Sequence, residues 1–428
     1  MADSAWHLQK LNMGTFPTRR SKVVLFVLEA LNSVAVGLYY TYLFWFMQER
    51  FGYGDRENLA IAALNGLIYT FCAWQGGRLG QRLGYLSTLL VGTVVMVVCL
   101  AAAILVDAAS LIQNTAGWQV FVLSIWTLGV SVTWPALEAM VTDGEAPQQL
   151  PRMVGRYNVT WASGWAVAYF GGGAMLEGLG LRSVFVIPLI IHVVQIGLIL
   201  RLRSQGRPAA EAGCSGPSDQ QDAPRAHLPH PDSGLFRKMG WIANPFAYLA
   251  ITALVPVIPS LASEHGLNPT WAGIFCSTWF FARLAAFVVL WQWPAWHYRF
   301  RWLFGSMVLL IVSFAGILFS STLLSLFGCQ ILFGLAVGLI YYSSLYYSMD
   351  AGDQKGEHGG IHEAAIGAGI FAGPAIGYLA LVALPDSPHA DTWAVSAALC
   401  LGAVWLAAAR YGSRSNAVPP ALQKNPCA

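Results

Sequence analysis

Two ionisable residues stand deep inside apolar runs: Glu29 in "VVLFVLEALNSVAVG" and Arg283 in "CSTWFFARLAAF". A carboxyl in such a setting can take up and release a proton, and a guanidinium can hold an anionic group. Asn32, three residues after Glu29, shares its face of a helix and adds a hydrogen-bonding amide. An unpaired arginine at the centre of a bilayer costs at least about 2.5 kcal/mol. Arg283 therefore needs water, an acid or an anionic ligand. A fixed salt bridge would meet that need without transport chemistry, and Glu29 could equally serve packing or a static pair near the membrane surface.

The elements that carry these groups follow from composition. Of 428 residues, 56% are hydrophobic and 11% are charged, against about 25% charged in an ordinary soluble domain. Runs long enough to cross a bilayer, about 20 apolar residues, recur twelve times between 23–47 and 392–409. The sequence predicts an all-α polytopic membrane protein with twelve transmembrane helices, its main partner being the lipid bilayer. The first run is too long for the apolar region of a signal peptide and lacks an A-x-A-like site, so the N-terminus is expected to be retained.

Of the 24 Lys and Arg, Arg283 sits mid-span and only Arg50, Arg56 and Arg182 fall in loops across the membrane from the N-terminus. Positive loops stay cytoplasmic. This predicts a cytoplasmic membrane with both termini inside, and it explains the net charge of +3 without nucleic acid. The seven cysteines are scattered singly, so neither a disulfide nor a zinc site is expected. His227 and His230 lie in 202–237, a Pro-, Ala-, Ser- and Gly-rich stretch read as a flexible cytoplasmic linker, and no metal or cofactor is assigned there or elsewhere. The linker divides a bundle at 1–201 from one at 238–428, six spans each. A shift of 205 residues lays Gly129 over Gly334, Gly164 over Gly369 and Gly172 over Gly377. This is the signature of a parallel repeat, as in two-bundle secondary transporters.

Between spans two and three the chain reads "QGGRLGQRLGY" (75–85). Glycines there suit the close approach and the positive-φ backbone angles of a tight turn, and the arginines hold it on the cytoplasmic side. With the six-plus-six topology, Gly77, Arg78, Gln81, Arg82 and Gly84 resemble the signature G-x-L-x-D-R-x-G-R-R of the major facilitator superfamily, although Gln81 replaces the usual acid and the trailing basic pair is absent. Gly369, Gly373, Pro374 and Gly377 in span eleven resemble that family's G-x-x-x-G-P-x-x-G packing element. In span four, Ile125 stands where proton-linked drug exporters of the family often carry arginine. The resemblance implies two bundles that rock about a midplane site, and a conformational latch at residues 77–84. The acid missing at Gln81 has a counterpart in Glu363, at the start of span eleven, which could accept from Arg78 or Arg82 or simply cap its own helix.

Trp126 and Tyr341 lie near mid-span, where they could stack on an organic solute, and Asn158 and Asn65 add amides that either touch a ligand or bridge helices. Tyr39, Tyr40, Tyr42 and Trp45 read better as an interface belt, and His192 as packing. With no HExxH, GxSxG or phosphate loop, the chain does not read as an enzyme. The reading is a monomeric secondary transporter for a small organic molecule, tilted by Arg283 toward one with a negative group and coupled to protons. The alternative is a non-transporting sensor or scaffold on the same fold.

Overall fold

The computed structural model describes residues 19–108, 115–143, 149–205, 230–350, 355–387 and 389–415. The described residues are helical, with no strand among them. The order is α1 (Arg19–Phe51), α2 (Asp55–Leu83), α3 (Tyr85–Ala108), α4 (Thr115–Thr142), α5 (Leu150–Leu179), α6 (Ser183–Gln205), α7 (Ser233–Leu254), α8 (Ile258–Glu264), α9 (Pro269–Cys276), α10 (Thr278–Gln292), α11 (Phe300–Leu318), α12 (Leu323–Asp350), α13 (Lys355–Ala383) and α14 (Ala390–Ser415). Among the described residues, ten segments are long and apolar enough to cross a membrane. The two other apolar runs lie in α2 and α5, which are 29 and 30 residues long but more polar.

Three local features differ from the sequence reading. Residues 75–83 are helical, and only Gly84, with φ of +83°, makes the turn to α3. Gly76 and Gly80 before it serve the expected close approach: a methyl on Gly80 would come within 2.7 Å of the Tyr85 ring. The eighth run is broken at Ser277, whose hydroxyl donates to the Ile274 carbonyl at 2.8 Å, a side-chain bond that competes with the helical ladder. Both ends of 202–237 are helical, since α6 reaches Gln205 and α7 starts at Ser233. Residues 206–229 lie outside the described set.

The chain forms two compact units. The first comprises α1, the part of α2 from Phe71, α3 to α6, and α9. Its helices approach through small residues. A methyl on Gly92 of α3 would meet the carbonyl of Gly129 in α4 at 2.7 Å, and one on Gly164 of α5 would meet Ser33 of α1 at 2.6 Å. At one end Asp107, 6% exposed, accepts from Arg50 at 3.2 Å and Arg182 at 2.7 Å, which ties α3 to α1 and to the start of α6. His192 is fully buried, 2.6 Å from Gln195, which donates to the Leu28 carbonyl at 3.0 Å.

The second unit comprises 53–70, α7, α8 and α10 to α14. Pro259 has no N–H to offer the Val255 carbonyl, which instead accepts from Ile258 in a 3-10 turn between α7 and α8. Gly369 and Gly373 of α13, one helical turn apart, sit on the carbonyls of Pro245 and Leu249 of α7, also one turn apart. A side chain at either glycine has no room. Gly373→Ala is expected to destabilise the protein by about 1–3 kcal/mol through overpacking, whereas Gly328→Ala, which faces open space, should be neutral or slightly stabilising. Thermal unfolding of the detergent-purified variants checks both.

Candidate functional site

In the first unit the site is built around Glu29 of α1, which is fully buried. One turn along the same helix, the Ser33 hydroxyl donates to Glu29 Oε1 at 2.9 Å. From α4, Trp134 Nε1 donates to that oxygen at 3.2 Å, and from α5 the Tyr157 side chain also hydrogen-bonds the carboxyl. A second, half-buried acid, Glu138, lies one turn beyond Trp134 on α4 and acts on Glu29 through its charge. Burial disfavours a carboxylate, while donors on three helices favour it. The pocket can therefore serve either protonation state.

Asn32, also fully buried, donates from Nδ2 to Thr133 Oγ1 at 3.3 Å, so it joins α1 to α4 beside the carboxyl. Trp134 stacks with Trp165 of α5, with centroids 6.4 Å apart and planes at 25°. Asn158 is bound within its own helix, accepting from Trp161 Nε1 at 3.0 Å. Trp126, two turns before Trp134, is 1% exposed and packs edge-on against Tyr39 at 4.7 Å. Tyr39 in turn reaches Phe185 at 6.0 Å. The structure thus brings Asn32 to Glu29 and places Trp126 in the packing of α1, α4 and α6.

The second unit holds Arg283 of α10, 2% exposed. Its guanidinium carbon lies 5.0 Å from the Tyr341 ring centroid of α12, 5.4 Å from that of Phe287 one turn along α10, and 5.8 Å from that of Tyr248 of α7. At this range each ring attracts a cation, by about 0.5 to 2 kcal/mol. Two glycines of α12 make room: a methyl on Gly338 would strike Ala286 at 2.7 Å, and one on Gly334 would come within 3.0 Å of the Arg283 amide nitrogen. A guanidinium carries five N–H donors in a rigid fork that matches a carboxylate or phosphate. The three rings present apolar faces beside it.

Ser33 and Phe287 stand at i+4 from their partners and were within reach of helical spacing. Trp134, Tyr157 and Tyr248 come from other helices and carry no local signal. Of the latch residues, Arg78, Gln81 and Arg82 are exposed, and the side chain of Glu363 lies outside the described residues. The packing set is tight at Gly369 and Gly373, while a methyl on Gly377 would meet Leu59 at 3.2 Å.

Residues 25–230 match the family model described as Major Facilitator Superfamily. No curated protein matches the sequence. Among solved structures, the fold is similar to that of a bacterial homologue of the human lysosomal transporter Spinster, in an inward-facing and unoccupied conformation, with a TM-score of 0.62 at 14% identity over 91% of this chain and 94% of the other. It is also similar to a mutant of the nucleoside transporter NupG, with a TM-score of 0.65 at 14% identity over 91% of this chain and 99% of the other.

Proposed function

We propose that this chain, which belongs to the major facilitator superfamily, is a secondary transporter for a small organic solute bearing a negative group, coupled to protons at Glu29. The observation that carries the solute class is Arg283, a buried cation lined by three aromatic rings. A residue fixed only for packing would have no use for a charge that costs several kcal/mol to bury. Proton coupling rests on a buried carboxyl held by donors from three helices of the first bundle, because rocking of that bundle against the second changes the carboxyl's access to water.

In this reading residues 1–201 rock against 238–428, Arg78 or Arg82 pairs with Glu363 in one of the two states, and both termini are cytoplasmic. A reporter fused after residue 428 is then expected to read from the cytoplasm. The solute class is tested by a thermal-shift screen of organic acids, phosphate esters and organic amines on the detergent-purified protein. A ligand at 100 times its Kd adds about 2.7 kcal/mol of apparent stability. Shifts confined to amines would overturn the anionic class, and a chain that no solute stabilises would return the scaffold reading.

A further inference from the structure

We propose that the Asp55 carboxyl and the Ser260 hydroxyl form a latch at the outer end of α2, fastened when the external medium is acidic and released when it is neutral. The proposal rests on the transporter reading above for the side of the membrane that Asp55 faces. It starts from the seating of 53–70 within the second unit. Asp55, the first residue of α2, precedes the apolar run at 58–75 and is half-buried. Its Oδ1 accepts from Ser260 Oγ of α8 at 2.5 Å. Three residues on, and so on the same face, Asn58 Nδ2 donates to the Pro256 carbonyl at 3.3 Å. Deeper along α2, a methyl on Gly66 would meet the Ile370 carbonyl of α13 at 2.5 Å, and one on Gly367 would meet Thr70 at 3.0 Å. Two glycines thus seat this half of α2 against α13, and two polar contacts fasten its end.

The charges around the fastening are mostly of one sign. Asp391 at the start of α14, Glu264 at the end of α8 and Glu57 on α2 itself all act on Asp55. The neighbouring cation, Arg56, is held by Glu57 at 3.0 Å, and His265, next to Glu264, lies 3.4 Å from Ser320. Burial first, and then these three acids, raise the Asp55 carboxyl from 3.8 to about 6 despite the bond from Ser260. Once α2 swings away, the carboxyl returns to water and to its ordinary value. Fastening therefore takes up a proton. The fastened state is favoured below that ordinary value, and its advantage is lost as the pH rises through about 6. Each unit of separation between the two values is a factor of about ten, so the full swing is on the order of a hundredfold.

The test uses Leu59→Cys, at a side chain 1% exposed behind the fastening, in right-side-out vesicles treated with a membrane-impermeant maleimide. Rates are taken over the parent chain and divided by those of Ser263→Cys, an exposed thiol at the same end, which removes the intrinsic pH dependence of the thiol. The normalised rate is expected to rise at least tenfold from pH 5 to pH 7.5. Asp55→Asn should keep it low and flat, and Ser260→Ala should raise it at pH 5. A flat profile in the parent, or an Asp55→Asn profile that still rises like the parent's, overturns the latch. If Asp55→Asn does not reach the membrane, Ser260→Ala decides, and an unchanged rate at pH 5 overturns the proposal. No solute takes part, so failure here leaves the transport reading intact, and failure of the solute screen leaves this measurement interpretable.

Discussion

Arg283→Ala is expected to weaken binding of the transported solute by at least about 30-fold, the equivalent of 2 kcal/mol for removing one partner of a buried charge pair. The guanidinium sits 5.0–5.8 Å from three ring centroids contributed by α7, α10 and α12. Removing it takes away the cation that these rings surround. Arg283→Lys separates charge from geometry. It restores the cation but neither the planar fork nor the stacking, so it should recover only part of the affinity. Tyr341→Phe keeps the ring over the guanidinium and should bind nearly as the parent does. Isothermal titration with a solute identified by thermal shift reads all three. Unchanged affinity in Arg283→Ala would assign the residue to packing and return the solute class to an open choice.

Span positions were legible because apolar length is a one-dimensional property, and each run lies along helix, although 239–262 and 271–293 are each divided between two helices. What hydropathy cannot see is where a ladder is interrupted. The α7–α8 break is written in "VPVIP", where Pro256 and Pro259 deprive the carbonyls of Thr252 and Val255 of their helical donors. The break at Ser277 has only a hydroxyl behind it, and nothing in "FCST" distinguishes a serine that bonds backward from one that does not. Glycines at 75–83 carry the close approach expected of them, and Gly84 the positive φ. A helix interior tolerates them when another helix lies against the gap, as Gly76 does 3.2 Å from the Ser131 carbonyl when a methyl is placed on it. The turn needed only Gly84.

The repeat was legible in part. Gly164 and Gly369 play one role in the two halves, each setting its helix directly on the first helix of that half: α5 on α1 and α13 on α7. Gly129 and Gly334 do not correspond in this way, since the first faces Gly92 of α3 and the second faces α10, in the eighth span. Sequence offset aligns small residues without saying which neighbour they admit. The same limit held at the site. Glu29 and Arg283 stood out as charges in apolar runs, and their i+4 companions Ser33 and Phe287, which the sequence reading did not name, lay within reach of helical spacing, but Trp134, Tyr157 and Tyr248 arrive from other helices. Their identity as partners is a product of packing.

Glu29→Gln is expected to abolish proton-driven accumulation while leaving exchange. In the parent, the carboxyl can be neutral or charged in a site where Ser33 and Trp134 converge on one oxygen at 2.9 and 3.2 Å. Glutamine keeps the volume and an acceptor for those donors, so the three-helix junction should hold, but it cannot exchange a proton. Reconstituted vesicles with an imposed pH gradient, acidic outside, should accumulate solute at least tenfold above equilibration with the parent and only to equilibration with Glu29→Gln, while counterflow of labelled solute against unlabelled proceeds in both. Trp134→Phe supplies the complementary case: it removes one donor from the carboxylate and keeps the aromatic face toward Trp165. The carboxyl itself remains, so gradient-driven accumulation should persist in this variant. Undiminished gradient-driven accumulation by Glu29→Gln would remove Glu29 from coupling and leave it as a tie between α1 and α4.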